Sequence, residues 1–323
     1  MIIIGIIIFI IGSALCLIAT SYQSLILGRF LQGVGIAAPF ILYFLIIIEN
    51  YPIKRQQSLM GIMNGFSNAA IAFAPVIGSY ITIYYHWQGN FIALLVFGII
   101  VLSMTIIFVP HKKQEFHEER SSKISYWEIF NSRQLMLLIT NLVLKSLPYY
   151  VFLSISSIVY VDGLGVSLSH YGYYQGAWAL VFSVGSIIAV AVVNKYKSKN
   201  MLIFSVWITV VSFIAVGVVT ILDCKNPLFI ATAFTIFSVA EIIPSIVIYP
   251  LCINFIPEAK GKISSLLLVS RLILSSIFIQ IAGYFYSGSF QNIGIIISII
   301  IVFIIITSFL IIKNKEMMSR IDA

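Results

Sequence analysis

Residues 25–39 read Leu-Ile-Leu-Gly-Arg-Phe-Leu-Gln-Gly-Val-Gly-Ile-Ala-Ala-Pro, which places an arginine, a glutamine and three glycines in an otherwise apolar segment. A charged side chain inside a membrane helix costs roughly 2.5–3.5 kcal/mol on insertion scales, so it usually faces other helices and has a partner. Gly28 and Gly35 lie two helical turns apart, and Gly33 and Ala37 lie one turn apart. Two faces of this helix therefore lack bulk, and we expect them to approach neighbouring backbones closely.

The composition of the whole chain is that of a polytopic membrane protein. Of its 323 residues, 60% are hydrophobic and only 9% are charged, and the mean hydropathy is +1.07. Soluble domains carry about 25% charged residues, so this composition excludes a soluble protein. Because about 20 apolar residues span the hydrocarbon core, the sequence predicts an all-α polytopic membrane protein with ten spans. They cover residues 1–20, 24–48, 58–84, 91–109, 135–160, 172–193, 201–221, 228–254, 263–286 and 292–312.

The net charge of +8 follows the predicted topology, which argues against a nucleic-acid partner. Alternate loops and the C-terminal tail carry fifteen basic residues, whereas the other set of loops carries only Lys225. Because basic loops lie on the cytoplasmic side, we expect both termini to be cytoplasmic. The fifteen residues are Lys54, Arg55, Lys112, Lys113, Arg120, Lys123, Arg133, Lys195, Lys197, Lys199, Lys260, Lys262, Lys313, Lys315 and Arg320.

The sequence indicates neither a cofactor nor an enzyme. The three cysteines have no metal or disulfide spacing, and the four histidines fall in loops or at span ends without forming a metal cluster. The run from Gly28 to Gly35 lacks the Lys-Ser/Thr of a phosphate-binding loop. No nucleophile has a base at a recognisable spacing, so we predict no catalytic residues, no metal and no cofactor.

The polar residues of the opening segment form a recognisable motif. Arg29, Gln32 and Gly33, with Gly35 two residues on, resemble the Arg-x-x-Gln-Gly signature in the fourth helix of major facilitator superfamily (MFS) drug:proton antiporters. The setting looks most like the Bcr/CflA branch. The resemblance implies that Arg29 is a fixed positive charge coupled to the protonation of an acid elsewhere, whereas the alternative is an arginine that reaches the outer headgroups.

Other segments extend this resemblance over most of the chain. Ala70 to Ser79 is similar to the fifth-helix antiporter motif, Gly-x-x-x-Gly-Pro-x-x-Gly-Gly: Pro75 and Gly78 are kept, and alanine or serine replaces three glycines. The remaining matches are His86-Trp87-Gln88, with Gln88 where the family has arginine, Tyr126-Trp127, and Gly163 to Ser167.

The resemblance also implies an architecture. MFS transporters have twelve helices in two six-helix halves, so the ten spans would be family helices three to twelve, and we expect the first two to be absent from this chain. The long polar stretch 111–133 falls where the family has its cytoplasmic linker. We therefore predict an N-terminal half-bundle of four helices at 1–110 and a six-helix bundle with a short cytoplasmic tail at 134–323. Within the linker, Ile124 to Phe130 carries aromatics suited to a short helix on the membrane surface.

Four ionisable side chains lie well inside predicted spans: Arg29, Lys145, Glu241 and Arg271. Three cations face one acid, and buried charges need partners. The shortage of acidic side chains implies either an anionic substrate or an acid outside this chain. Members of the family that this chain resembles commonly carry an acid in the first helix, which favours an acid outside this chain. Glu241 is the default proton carrier, and Arg271 is a secondary site candidate.

Two polar stripes are predicted to line a substrate cavity. Residues spaced by four share a helix face, and the resemblance places these stripes on the seventh and tenth helices, both of which line the cavity in this superfamily. We expect the stripes to face each other with an ion pair between Lys145 and Glu241, which either takes part in transport or only ties the helices together. The stripes are Asn141, Lys145 and Tyr149, and Glu241, Ser245 and Tyr249; Asn64 and Asn68 are further cavity candidates, and Tyr173, Tyr174 and Trp178 are expected to be interface or packing aromatics.

The function predicted from these features is secondary active transport by alternating access. The resemblance implies proton-coupled efflux of drug-like or small amphipathic molecules, with protons, a small-molecule substrate and membrane lipid as partners. Two alternatives remain open. One is an MFS uptake symporter for an organic anion, which the excess of buried positive charge would suit, and the other is a transport-inactive truncated remnant.

Overall fold

Apolar runs of about 20 residues leave the backbone no partner in lipid except itself, which dictates helices. The computed structural model describes residues 1–108, 124–193 and 195–322, without the side chains of residues 38, 41, 43–45, 49, 53, 54 and 320–322. The described chain is helical throughout. Its helices are α1 Ile2–Leu17, α2 Tyr22–Asn50, α3 Ile53–Phe108, α4 Tyr126–Asn131, α5 Arg133–Ser157, α6 Leu168–Val193, α7 Ser198–Ile221, α8 Pro227–Ile253, α9 Lys260–Phe285, α10 Gln291–Lys313 and α11 Lys315–Asp322.

Helix α3 covers two predicted spans, 58–84 and 91–109. Its 56 residues would extend about 84 Å at 1.5 Å per residue, far more than a hydrocarbon core of about 30 Å. The helix is kinked at His86, whose φ of 58° and ψ of −176° are not helical. A positive φ is uncommon for a residue with a Cβ, so His86 marks the break between the two predicted spans.

Seven helices in the described part of the chain are long and apolar enough to cross a membrane, and their most apolar windows have mean hydropathies of 1.6 to 3.4. α1 has 16 residues, which is fewer than the 18 that this length criterion requires. The chain is therefore an integral membrane protein of all-α architecture, whereas the count of ten spans stays a prediction.

The described residues form two compact units. The first comprises Met1–Asn50 and the described part of Ile77–Lys123, and the second comprises Tyr51–Val76 and the chain from Ile124 onward. The predicted division into halves at 1–110 and 134–323 stays a prediction. Most of the predicted linker, at 111–123, lies outside the described residues.

In the first unit α1 and α2 pack closely through glycines. A Cβ at Gly12 would lie 2.7 Å from the backbone nitrogen of Gln32, and one at Gly35 would lie 2.6 Å from the carbonyl oxygen of Gly5. A Cβ at Gly28 would lie 2.5 Å from the sulfur of Cys16. These distances confirm the predicted close approach at Gly28 and Gly35, whereas the prediction was wrong for Gly33, which has no atom within 4 Å among the described residues.

The second unit contains two apolar clusters of buried side chains. In the first cluster, Phe152 of α5 stacks on Phe234 of α8, with ring centroids 3.6 Å apart. The second cluster joins the other ends of the same helices and includes Val143 of α5 and Ile246 of α8. Side chains between these clusters are polar, and they form the candidate site described below.

Two short helices border the second cluster. α4 begins with a capping box in which the Ser125 hydroxyl accepts from the Trp127 nitrogen and the Glu128 side chain accepts from the Ser125 nitrogen. The predicted short helix at Ile124 to Phe130 is thereby confirmed as a helix. α11 buries Met317 and Met318 in the same cluster, and its Glu316 accepts a 2.7 Å hydrogen bond from Gln134.

Candidate functional site

An ion pair lies between the two apolar clusters of the second unit. The Nζ atom of Lys145, on α5, lies 3.1 Å from Oε1 of Glu241, on α8, and the two side chains are 4% and 12% exposed. Lys145 follows the second cluster along α5 and precedes Leu147 of the first, so the pair occupies the polar layer that divides them. The predicted ion pair is confirmed.

Two further polar contacts flank the ion pair, one on each side of it, because α5 and α8 pack antiparallel in the two apolar clusters. The hydroxyl of Tyr149, on α5, donates a 3.0 Å hydrogen bond to Oδ1 of Asn68, on α3. Nδ2 of Asn64, one turn before Asn68, donates a 3.2 Å hydrogen bond to the hydroxyl of Ser245, on α8. Three helices are therefore joined by side chains spaced four residues apart on each of them.

We name Asn64, Asn68, Lys145, Tyr149, Glu241 and Ser245 the polar cluster. Its charges cancel, because its single cation and single anion are paired. Its other members are amides and hydroxyls, which both donate and accept hydrogen bonds. Such a set can exchange a proton at one carboxylate and bind polar groups of a small molecule. Among the described residues there is no group of three or more His, Cys, Asp or Glu side chains able to hold a metal ion.

The remaining predicted cavity residues lie around this cluster and do not complete the two facing stripes. Nδ2 of Asn141 donates to the hydroxyls of Thr307 and Ser308 on α10, both at 2.9 Å, so Asn141 faces α10 instead of Glu241. Tyr249 packs against the second apolar cluster. The guanidinium carbon of Arg271, the secondary site candidate, lies 5.8 Å from the ring centroid of Tyr150 in a cation–π contact.

Two residues of α6 near the cluster did not emerge as site candidates. The ring of Trp178 meets the Tyr149 ring edge-on, with centroids 4.8 Å apart, and the Trp178 side chain is 1% exposed. Its expected packing role is confirmed. Gln175, three residues earlier, is 4% exposed, and the available signal was a glutamine near the start of the predicted span 172–193.

The motif residues of α2 form a separate group in the first unit. Nη1 of Arg29 donates to Oε1 of Gln32 at 3.3 Å, and Nε2 of Gln32 donates to the hydroxyl of Ser13 at 2.8 Å. The Arg29 guanidinium carbon also lies 4.8 Å from the ring centroid of Phe91, and this arrangement is a cation–π contact. Gln32 thus links Arg29 of α2 to Ser13 of α1.

The other motif positions are three glycines and a proline, which affect the conformation of the helix backbone and carry no polar side chains. Gly35 meets α1, whereas Gly33 has no neighbouring atom within 4 Å among the described residues. Pro75 lies inside α3, and the carbonyl of Gly78 accepts a 2.8 Å hydrogen bond from Thr82. Their role in coupling stays a prediction.

Sequence comparisons give the family. The profile of the Major Facilitator Superfamily matches residues 1–279. Multidrug resistance protein MdtL of Klebsiella pneumoniae is 24% identical over 196 residues, which are 59% of this chain and 47% of that protein. Chloramphenicol resistance protein CraA of Acinetobacter baumannii is 22% identical over 287 residues, 88% of this chain and 69% of that protein. The alignment thus spans about half the length of the MdtL relative.

Solved structures share the fold. An Escherichia coli fucose:proton symporter, FucP, superposes with a TM-score of 0.65 at 13% identity and covers 96% of this chain and 82% of its own. A bacterial homologue of the human lysosomal transporter Spinster, in an inward-facing and occupied conformation, gives 0.56 at 14% identity, with coverage of 99% and 82%. Because the superfamily profile matches well over half of the sequence and the helices superpose on those of transporters, this chain belongs to the major facilitator superfamily of membrane transporters.

Proposed function

We propose that this protein is a proton-coupled exporter of drug-like or small amphipathic molecules, of the Bcr/CflA type, which works by alternating access. The observation that carries the proposal is the ion pair between Lys145 and Glu241, 3.1 Å apart in a membrane helix bundle. Ionisable groups at membrane depth are costly and usually mark a substrate or proton pathway.

Glu241 would carry the proton. A carboxylate facing an ammonium group at this distance is held by charge, and protonation of Glu241 removes the charge and weakens the pair. Lys145 is then left as a buried cation, which is unfavourable until it finds another acceptor or Glu241 loses the proton again. Substrate and proton would therefore compete for the same neighbourhood, which is the requirement of antiport.

The rest of the polar cluster would bind substrate. Asn64, Asn68, Tyr149 and Ser245 already bond to one another across three helices, and a substrate with polar groups can replace these contacts. Asn141, Tyr249 and Arg271 would act from the edge of this region. Two relatives are named as multidrug resistance and chloramphenicol resistance proteins, and these names support drug-like substrates and export.

Coupling in the first unit would depend on Arg29. Its guanidinium contacts Gln32 and the ring of Phe91. Arg29 would be a fixed positive charge, with Gly33, Gly35, Pro75 and Gly78 shaping the helices. We place both termini on the cytoplasmic side of a bacterial plasma membrane, with halves at 1–110 and 134–323, and assign no catalytic role to any residue.

Efflux from cells tests the proposal. Energised cells that express the protein should expel radiolabelled chloramphenicol, the compound named for one relative, and a protonophore should stop this export. Glu241→Gln should abolish export, because the amide cannot carry a proton. Glu258→Gln is the matched control, since Glu258 is exposed in the short 3-10 helix Pro257–Ala259 between α8 and α9, and it should export as the unchanged protein does. Export that survives Glu241→Gln would remove Glu241 from the mechanism.

A second candidate function is proton-coupled uptake of an organic anion. It is favoured by the three cations, Arg29, Lys145 and Arg271, that accompany one acid well inside the predicted spans. Uptake of an anion should be lost in Lys145→Gln, whereas export of a neutral compound should survive that change if Lys145 serves only as an anion site.

A further inference from the structure

Helix α6 carries a buried hydrogen-bond acceptor and a buried donor on one face. Gln175 and Trp178 are 4% and 1% exposed, and residues three apart on a helix are neighbours. Oε1 of Gln175 and Nε1 of Trp178 have no hydrogen-bond partner within the part of the chain that the structure describes. An unsatisfied buried polar group costs about 1–3 kcal/mol, so native structures keep very few of them.

These two groups lie beside the polar cluster. The Trp178 ring meets the ring of Tyr149 edge-on at 4.8 Å, and the Tyr149 hydroxyl bonds to Asn68. Gly176, between Gln175 and Trp178 in the chain, lies against α3, because a Cβ there would be 2.6 Å from the carbonyl oxygen of Ala72, one turn after Asn68. Through the contact of Trp178 with Tyr149, α6 therefore borders the proposed substrate region.

The chemistry of the two atoms defines a complementary ligand group. The indole N–H only donates, and the amide oxygen of Gln175 only accepts. A hydroxyl or a secondary amide both donates and accepts, so one such ligand group can satisfy both atoms at once. The edge-on pair of Tyr149 and Trp178 adds aromatic surface, against which a ligand ring packs favourably.

The charges of the polar cluster narrow the class of ligand further. Within the polar cluster, Lys145 and Glu241 neutralise each other, and its other members are uncharged. A charged ligand would have to break this pair or remain without a partner, whereas a neutral ligand leaves it intact.

We propose that Gln175 and Trp178 are ligand-binding residues of the transport site and that its substrates are neutral molecules carrying an aromatic ring and a hydroxyl or amide group. This inference rests on the proposed function for the meaning of substrate. Its observable consequence is nevertheless one of binding, which needs no proton gradient.

Equilibrium binding to the purified protein tests it, with radiolabelled chloramphenicol as the neutral probe, because that molecule has an aromatic ring, an amide and hydroxyl groups. Trp178→Phe removes the donor and keeps the ring, and Gln175→Leu removes the acceptor at similar volume. Each change should weaken binding about three- to tenfold, the value of one net hydrogen bond. Trp207→Phe is the matched control, since Trp207 is 67% exposed on α7, and it should bind as before.

The double variant and a charged probe complete the design. If both atoms hold one ligand group, the loss in the double variant should be smaller than the product of the two single losses. Tetraphenylphosphonium, a cation without donors or acceptors, should bind equally well to all variants. Unchanged chloramphenicol affinity in folded Trp178→Phe and Gln175→Leu would overturn the assignment, and so would wild-type protein that binds the cation but not chloramphenicol.

Failure of the proposed function gives a different result. In that case chloramphenicol still binds, and the two variants still bind it more weakly, but no proton-coupled movement is detected in membranes. Transport of chloramphenicol with unchanged affinity in both variants would instead leave the function standing and remove Gln175 and Trp178 from the site.

Discussion

Removing one partner of the buried pair should destabilise the protein far more than removing both. The perturbation is a cycle of Lys145→Met, Glu241→Leu and the double variant. Met and Leu are apolar and of similar length to the residues they replace, so the double variant fills the same space without charge. The stability of the pair and its role in transport are then measured separately.

The magnitude follows from the geometry. At 3.1 Å and an effective dielectric constant of about 20, the attraction between unit charges is about 5 kcal/mol. Each single variant loses this attraction and leaves the other charge buried, which typically costs about 3–5 kcal/mol. The double variant leaves no charge behind, and replacing a buried pair by apolar residues is often neutral or stabilising. We therefore expect a large positive coupling, with the double variant close to wild type in stability.

The assay is thermal unfolding of purified protein in one detergent, followed by transport of a drug in reconstituted vesicles. Both single variants should melt several degrees lower, and the double variant should recover most of this loss yet transport nothing. A double variant that is stable and transports normally would refute the functional reading, because the pair would then only tie α5 to α8. Equal stability of all four proteins would refute the burial of the pair.

Two further changes test the packing of α1 on α2 in the first unit and one hydrogen bond of the polar cluster in the second. Gly12→Ala should lower the free energy of unfolding by about 1–3 kcal/mol relative to Gly33→Ala, because its Cβ would press on the backbone of α2 whereas Gly33 has open space; both changes gain the same helix propensity, so equal melting temperatures would contradict the packing. Tyr149→Phe should lower stability by about 1 kcal/mol through loss of the bond to Asn68, and Tyr150→Phe is the control; an equal effect of both changes would deny that bond a role.

The ion pair shows what the sequence could predict. A lysine and a glutamate deep in apolar spans need partners, and each was the best available partner for the other. The positions of the helices also follow from apolar runs of sufficient length. The bend in α3 was predicted only as a gap between two spans, because the residue that takes the non-helical conformation, His86, carries no turn signal of its own.

The prediction that two polar stripes face each other was wrong in part, and the reason is geometric. A step of four residues turns about 400° around a helix with 3.6 residues per turn, so side chains drift by about 40° per step. Asn141 and Tyr149 are two steps apart and therefore diverge by about 80°, which sends Asn141 to α10 and Tyr149 to α3. The partner of each polar side chain depends on which helices are neighbours, and a single sequence does not contain that information directly.

Gln175 and Trp178 illustrate the same limit. The sequence places both residues within the predicted span 172–193. Their position beside Tyr149, however, depends on how α6 packs against α3 and α5. Close contacts at Gly172 and Gly176 bring the helices together, and many other glycines in the chain make no such contact.

Proton movement during transport is the most direct test of the account. Purified protein would be reconstituted into vesicles containing a pH-sensitive dye, and a chloramphenicol gradient would then be imposed across the membrane. We expect chloramphenicol flux to drive protons in the opposite direction for wild type and Glu258→Gln, and neither flux for Glu241→Gln. Drug flux without proton movement, or the same coupled flux in Glu241→Gln, would contradict proton-coupled export through the Lys145–Glu241 site.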